Sequence, residues 1–239
     1  MTEHATTRRA RPRTPVGVLD RSFAIVDAVE AGARTFTAIV EATGIPRTTA
    51  HRLIDALERH GVLFHVGGLG YALGPRLLGL AATAIRELPL RQLARPALER
   101  LARVTAESSQ LYVRDGDRRV CVDAVESDRE LRTIVEIGAA LPLDRGSAGK
   151  VLRACALDHD PGDGFHLIRS RGWAQSHEER EQGVASVSAP VFGPAGMLLA
   201  AVSVSGPVTR IRPATAKEFA PAVLEAAREI GAALGADQS

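Results

Sequence analysis

Arg47, Thr48, Thr49, His51 and Arg52 place five hydrogen-bonding side chains within six positions of the chain. Compact donors of this kind suit base edges and phosphates in a DNA major groove better than the Glu and Lys of an ordinary solvated helix face. Winding at 100° per residue puts Ala50, Leu53, Ile54 and Leu57 on one apolar stripe, at i, i+3, i+4 and i+7. Thr48, Arg52, Asp55 and Arg59 then fall on the opposite side, flanked by Thr49 and His51. A second group of polar residues consists of hydroxyls. Ser186 and Ser188 alternate with Val187, and Ser203 and Ser205 with Val204, so each serine pair shares one face of a strand. Covered by the Gly146-Ser147-Ala148 loop, that face becomes a small concave site where hydroxyls meet helix-start N–H groups, a setting for a small anion or polar metabolite. The alternative is a row of solvent-facing serines, against which the apolar character of the second run argues.

Catalytic motifs find no support. Ser147-Ala148-Gly149-Lys150 matches the SxxK of serine acyl-transferases, but the partner motifs SDN and KTG are absent, as is a GxSxG elbow. A phosphate loop would need a glycine where Asp144 stands and Ser or Thr where Val151 stands. Cys121 and Cys155 are far apart and outside any CxxC pattern, so neither a metal nor a cofactor is expected. Cys121 lies in a run of strand composition, where a small buried hydrophobe is one reading and a sensor thiol the other.

The elements that must position these residues follow from turn chemistry. Thr35 and Thr37 can cap a short helix running through Glu41, with Ala38, Ile39 and Ala42 facing inward. Gly44 ends it, Pro46 suits the first position of the next helix, and Gly61 suits the residue beyond that helix. Val62 to His65 and Tyr71 to Leu73 are strand-like runs around Gly67-Gly68-Leu69-Gly70, a hairpin wing. Upstream, Leu19, Phe23 and Val26, helped by Ile25 and Val29, form the stripe of a first helix. The order is that of a winged helix-turn-helix over residues 16–74, with Thr35, Thr37, Arg47, Thr48, Thr49, His51 and Arg52 as DNA-contacting residues. Two helices joined by a glycine turn also occur in proteins that never meet nucleic acid. A metabolite-binding module that uses its helix-turn-helix for protein contacts is therefore the competing reading.

Residues 75–88 read as a linker helix whose Leu77, Leu78, Leu80, Ala81, Ala84 and Ile85 need a partner, either the preceding domain or the same helix of a second subunit. Leu88-Pro89 marks a boundary. Residues 89–239 then give a helix from Arg91 to Val104 and strand-like runs at Ser109 to Val113, Arg118 to Val125 and Leu131 to Ile137, with Asp115-Gly116-Asp117 as a hairpin turn. A helix from Ala148 to about Leu157 follows. A polar region with Pro161, Gly162 and Gly164 leads to a central hairpin of Val184 to Phe192 and Met197 to Val204, and then to a final helix, Ala214 to Leu234. Helices flanking an antiparallel sheet make this an α+β domain.

Composition fits two globular domains: 239 residues, 45% apolar, formal charge only +2, so nucleic-acid affinity must come from local placement. Arg8, Arg9, Arg11 and Arg13 lie in a Thr- and Pro-rich stretch, residues 1–15, read as a disordered basic arm that either follows phosphates or is simply solvated. No apolar h-region follows these arginines and no run approaches a membrane span, so the expected location is cytoplasmic with no membrane partner.

From Val16 onward the chain resembles the IclR-type bacterial transcriptional regulators. The resemblance rests on "PRTTAHRLIDALERHG", "YALGPRLLGLA", "GSAGKVL" and "RGWAQSHEEREQGVASVSAPVFGPAGMLLAAVSVSGP". The last stretch is similar to an actinobacterial branch associated with control of amino-acid biosynthesis. The resemblance implies a winged helix-turn-helix, a linker helix and a GAF-like effector-binding domain, assembled as a homodimer or a dimer of dimers on a pseudo-palindromic double-stranded operator. It also implies an effector pocket at Ser147, Ala148, Ser176, Val184, Ser186, Ser203 and Ser205, suited to an amino acid or keto acid. Where the glyoxylate- and pyruvate-responsive type has an Asp and a Cys, this chain has Ser176 and Ser186, and Ser147 replaces a loop Gly. Both repression and activation occur in the family.

Overall fold

Helices α1 (Gly17–Glu30), α2 (Phe36–Thr43) and α3 (Arg47–Arg59) enclose a core of Ile25, Val29, Ile39, Ile45, Ala50, Ile54 and Leu63. The computed structural model describes residues 16–87, 89–156, 164–193 and 196–236. The arginine-rich arm, Leu88, Pro161, Gly162 and the Pro194-Ala195 turn lie outside the described residues, and the helix expected to run to about Leu157 stops at Ala154, with Cys155 as its cap. The chain divides into two units, Met1–Glu87 and Leu88–Ser239.

In the first unit, α2 begins where Thr35 Oγ1 accepts the Ala38 N–H at 3.1 Å, and it ends on Gly44 in the left-handed region. Thr37 lies inside the helix and is exposed. Ile39 is its one buried residue, Phe36 and Val40 pack beside it, and Ala42, expected inward, is exposed. Pro46 occupies the cap position of α3, one residue earlier than expected. After α3, Gly61 at φ +68 lets its own N–H reach Glu58 O at 2.8 Å and the Val62 N–H reach Leu57 O at 2.9 Å. That pair of bonds is the Schellman motif, and a side chain at Gly61 would strain it. Strands β1 (Leu63–Val66) and β2 (Gly70–Leu73) pair antiparallel around a single 3₁₀ turn at Gly67–Leu69.

The stripe expected on α1 is split: Ile25 and Val29 enter the core and Val26 is half-buried, but the other two members face outward. Ile25, Ala28 and Val29 are the buried residues, whereas Leu19 and Phe23 are both half exposed. Leu19 and Phe23 sit about 120° and 160° around the helix from Ile25, so they form a separate apolar face with Val16 instead of closing the three-helix core. Helix α4 (Arg76–Glu87) follows the wing, its start tied to the end of α3 by Arg76 Nη1 donating to His60 O at 3.0 Å. Leu78 and Leu80 of α4 are exposed.

The second unit contains α5 (Pro89–Thr105), β3 (Ser108–Asp115), β4 (Arg118–Val125), β5 (Ala140–Pro142), α6 (Ser147–Ala154), α7 (His166–Arg171), β6 (Ala174–His177), β7 (Val184–Phe192), β8 (Leu198–Pro207) and α8 (Ala216–Ala236). These strands form one antiparallel sheet in the order β5-β4-β3-β8-β7-β6. Leu98 and Leu101 of α5 and Val223 and Ile230 of α8 share a core with Leu111, Val187, Val202 and Val204 on one sheet face. On the other face Val151 and Leu152 of α6 and Ile168 of α7 pack with Tyr112, Cys121 and Ala201. Leu131 to Ile137 is not a strand. Thr133 and Val135 are buried and Leu131, Ile134 and Ile137 exposed, an alternation that imitates a strand without a ladder. Backbone bonds to the edge of β4 begin at Gly138, whose N–H reaches Cys121 O at 2.7 Å, and the ladder itself runs from Ala140. Helix α7 and strand β6, six and four residues long, carry no periodic signal of the kind that identified the longer elements.

Candidate nucleic-acid interface and effector hollow

Helix α3 buries Ala50 and Ile54, and this fixes which residues it offers to a ligand. Arg47, Thr48, His51 and Arg52 are exposed and Thr49 is half-buried, so the structure brings the five together over the first two turns. Thr35 and Thr37 are exposed at the start of α2, where Thr35 spends its hydroxyl on the cap. Sequence reasoning passed over Phe36. The Arg47 guanidinium lies 4.9 Å above the centroid of its ring, and the His51 ring meets it edge-on at 6.1 Å. One half-buried aromatic thus orients two polar side chains of the exposed face. Farther along, Arg59 is engaged by Asp55 at 2.7 Å, which separates it from the open donors of the first two turns.

In the second unit Ser188, Ser203 and Ser205 are buried and Ser186 is half-buried. Register pairs Ser186 with Ser205 and Ser188 with Ser203, directly across β7 and β8, while Val187 pairs with Val204 on the opposite face. Helix α6 covers the hydroxyls. Ser147 Oγ stands 2.7 Å from Ser186 Oγ and 2.6 Å from Ser188 Oγ, and Ser188 Oγ 2.8 Å from Ser203 Oγ. Each hydroxyl has one proton, so Ser147 can donate to only one of its two serine neighbours at a time. Ser205 donates instead to Gln110 Oε1 at 3.0 Å.

Beside this row lies a hollow of ≈ 20 Å³ lined by Tyr112, Arg119, Val135, Gly146, Ser147, Ala148, Ser176, Arg180, Val184, Ser186 and Ser205. Six of the seven expected residues are brought to it. Ser203 is not: it sits behind Ser188, one residue pair deeper along the strands than Ser186 and Ser205. Gly146, the cap of α6, has φ +83, and a Cβ there would come within 2.9 Å of Arg119 Nη2, so backbone and guanidinium approach in a way only glycine permits. The first N–H groups of α6 have no intrahelical acceptor, which adds partial positive charge at this end of the hollow.

The two arginines were not singled out from sequence. Arg119 is 3% exposed; its Nη1 donates to Pro142 O and, at 2.6 Å, to Arg145 O, its Nε has no hydrogen-bond partner among the described residues, and its guanidinium lies 5.4 Å from the Tyr112 ring centroid. Burial pushes the Arg119 guanidinium below its usual value, and neighbouring Arg180 pushes the same way. Burial also raises the Tyr112 hydroxyl well above its usual range, so it is a neutral donor or acceptor. Arg180 reaches Glu181 at 3.4 Å; Lys150 is held by Glu179, which also accepts the Gly146 N–H at 3.2 Å. The one sequence signal that could have found Arg119 is a charged residue inside a strand-like run that continues as Val120 and Cys121.

A helix-turn-helix with a wing, followed by an α+β domain whose sheet carries a hollow of hydroxyls and guanidiniums, defines a DNA-binding regulator with a sensor-type second domain. Residues 18–65 match the IclR helix-turn-helix domain, and residues 82–160 and 163–232 match the bacterial transcriptional regulator IclR C-terminal domain. The chain belongs to the IclR family of transcriptional regulators. It is 31% identical to the HTH-type transcriptional regulator BhcR of Paracoccus denitrificans (strain Pd 1222), over 93% of each chain. An ICLR transcriptional regulator from Silicibacter sp. TM1040 shares the fold with a TM-score of 0.78 at 21% identity, over 92% of this chain and 96% of that one. An IclR homolog from Microbacterium hydrocarbonoxydans, complexed with 4-hydroxybenzoate, has a TM-score of 0.67 at 22% identity, over 91% of this chain and 98% of its own. Among the described residues no helix is long and apolar enough to cross a membrane.

Proposed function

We propose that the protein is a transcriptional regulator whose grip on a pseudo-palindromic operator is set by a small polar metabolite held in the hollow between α6 and β7. The observation that carries this reading is the pairing of an exposed donor face on α3 with a buried polar hollow in a separate domain. Such a hollow costs folding free energy unless its polar groups find partners, and a ligand supplies them. Arg47, Thr48, Thr49, His51 and Arg52 read the duplex, with Thr35 and Thr37 at the neighbouring helix start facing phosphates. Gly146, Ser147, Ala148, Ser176, Val184, Ser186 and Ser205 frame the effector, with Ser203 supporting them through Ser188. The working unit is a dimer or a dimer of dimers. The exposed apolar residues at α1 (Leu19, Phe23, with Val16 just before it) and α4 (Leu78, Leu80) support this, because a second copy would bury them. Resemblance to the branch linked with amino-acid biosynthesis makes amino acids and keto acids the first effectors to try.

The test is selection of bound duplexes from random DNA by the full-length protein, repeated with a metabolite panel. A two-fold-related motif whose recovery changes with one metabolite is the expected result. Recovery of no motif, or one indifferent to every compound that binds, overturns the reading.

A further inference from the structure

We infer that the effector is a compact oxyanion carrying two negative charges, gripped between Arg119 and Arg180 and oriented by the Ser147 and Ser186 hydroxyls. The inference rests on the reading of the hollow as the effector site and gives that effector a chemical class. Arg119 is its centre: it is almost wholly buried, its Nη1 contacts are neutral carbonyls, and its Nε is unpartnered among the described residues. A guanidinium in that position has paid desolvation without an ion pair, and the edge carrying Nε is one that a carboxylate or phosphate takes in two parallel bonds. Exposed Asp144 offsets part of the charge through space, while Glu179 is already engaged by Lys150 and the Gly146 N–H.

The second charge follows from Arg180. Its partner Glu181 is 3.4 Å away and 64% exposed, so a ligand anion can take its place while water receives the glutamate. Two arginines, hydroxyl donors and the start of α6 then face one small volume. At ≈ 20 Å³ the hollow has room for about one water molecule, so a ligand of few heavy atoms demands the least opening. Size and charge together favour a short dicarboxylate or a phosphate-bearing species over an aromatic acid or an uncharged metabolite.

The experiment is calorimetric titration of the full-length protein, at constant ionic strength and pH 8, with malonamide, acetate, pyruvate, malonate, succinate and inorganic phosphate. Malonate, succinate or phosphate should bind at least tenfold more tightly than acetate or pyruvate, and which dianion leads separates a dicarboxylate from a phosphate effector. Arg180→Gln should erase that tenfold preference while monoanions still bind; Arg119→Gln should lose every anion, with circular dichroism confirming its fold. If Arg119→Gln does not fold, Arg180→Gln and the charge series on the unaltered protein decide the matter. Equal binding of mono- and dianions, or an unchanged preference in Arg180→Gln, overturns the inference. A neutral or singly charged ligand that shifts DNA binding would overturn it and leave the effector-site reading standing. If no compound binds, in this series or in a wider panel of amino, keto and aromatic acids, both fail.

Discussion

At the scale of single residues, exposure and partner decide what each side chain can do. Arg52 is exposed on α3 and placed opposite the Ala50 and Ile54 stripe. Arg52→Ala should cost about 1–3 kcal/mol on a selected duplex if the guanidinium reads a base, and should lower affinity evenly across sequences if it holds phosphate. Anisotropy titrations on selected and scrambled duplexes separate the two, and unchanged affinity on both removes Arg52 from the interface. Cys121 is fully buried, with Sγ 3.4 Å from Asp123 O. Burial pushes its thiol up to about 12, and the Asp123 carboxylate adds to the rise. At pH 8 the thiolate fraction is then about 10⁻⁴, so thiol reagents should label Cys121 only on unfolding. Rapid labelling of the folded protein would instead mark it as a sensor. Because the folded value is the raised one, this group's contribution to stability is full below the ordinary thiol value of 9.0 and is lost as pH climbs towards about 12.

At the scale of elements, the segment that joins β4 to β5 shows how side-chain anchors replace a ladder. Arg210, just beyond β8, forms a two-point ion pair with buried Glu107 and donates to Leu131 O at 2.7 Å. One guanidinium therefore ties the start of β3, the end of β8 and residues 131–137 together. Arg210→Ala would leave the Glu107 carboxylate buried and unpaired, and should destabilise the protein by about 3 kcal/mol or more. Urea unfolding checks this; a loss below about 1 kcal/mol would show that water reaches Glu107. The α1 face has the same lesson in reverse. Its Leu19 and Phe23 periodicity is genuine, but periodicity states only that an apolar face exists, and the tertiary fold sent that face outward.

At the scale of the whole molecule, the exposed faces of α1 and α4 predict self-association. Sedimentation should show a dimer or larger species at micromolar concentration, and Leu78→Glu should shift it towards monomer and weaken operator binding. Reading heads paired in this way match half-sites about 34 Å apart or a multiple of that. A monomer with and without DNA would refute this. Linkage adds a reciprocal requirement: whatever factor an effector applies to operator affinity, the operator must apply to effector affinity.

The winged helix-turn-helix was legible in sequence because it is local. Gly44, Pro46 and Gly61 set turns within a few residues of themselves, and the α3 stripe repeats within one helix. The β7–β8 hairpin and its serine alternation were legible for the same reason, as period two in adjacent runs. Resemblance to the family added Ser176, which lies on a four-residue strand with too little pattern of its own. The tertiary structure alone decided the rest: that Ser203 stands behind Ser188, that Phe36 carries Arg47 and His51, and that Arg119 of β4 and Arg180 of the loop between β6 and β7 line the same hollow although they are far apart in the chain. Sequence patterns report the faces an element has; which face meets which partner, and which charge is left buried without a counter-ion, depends on contacts between distant segments, and these are fixed only when the sheet assembles.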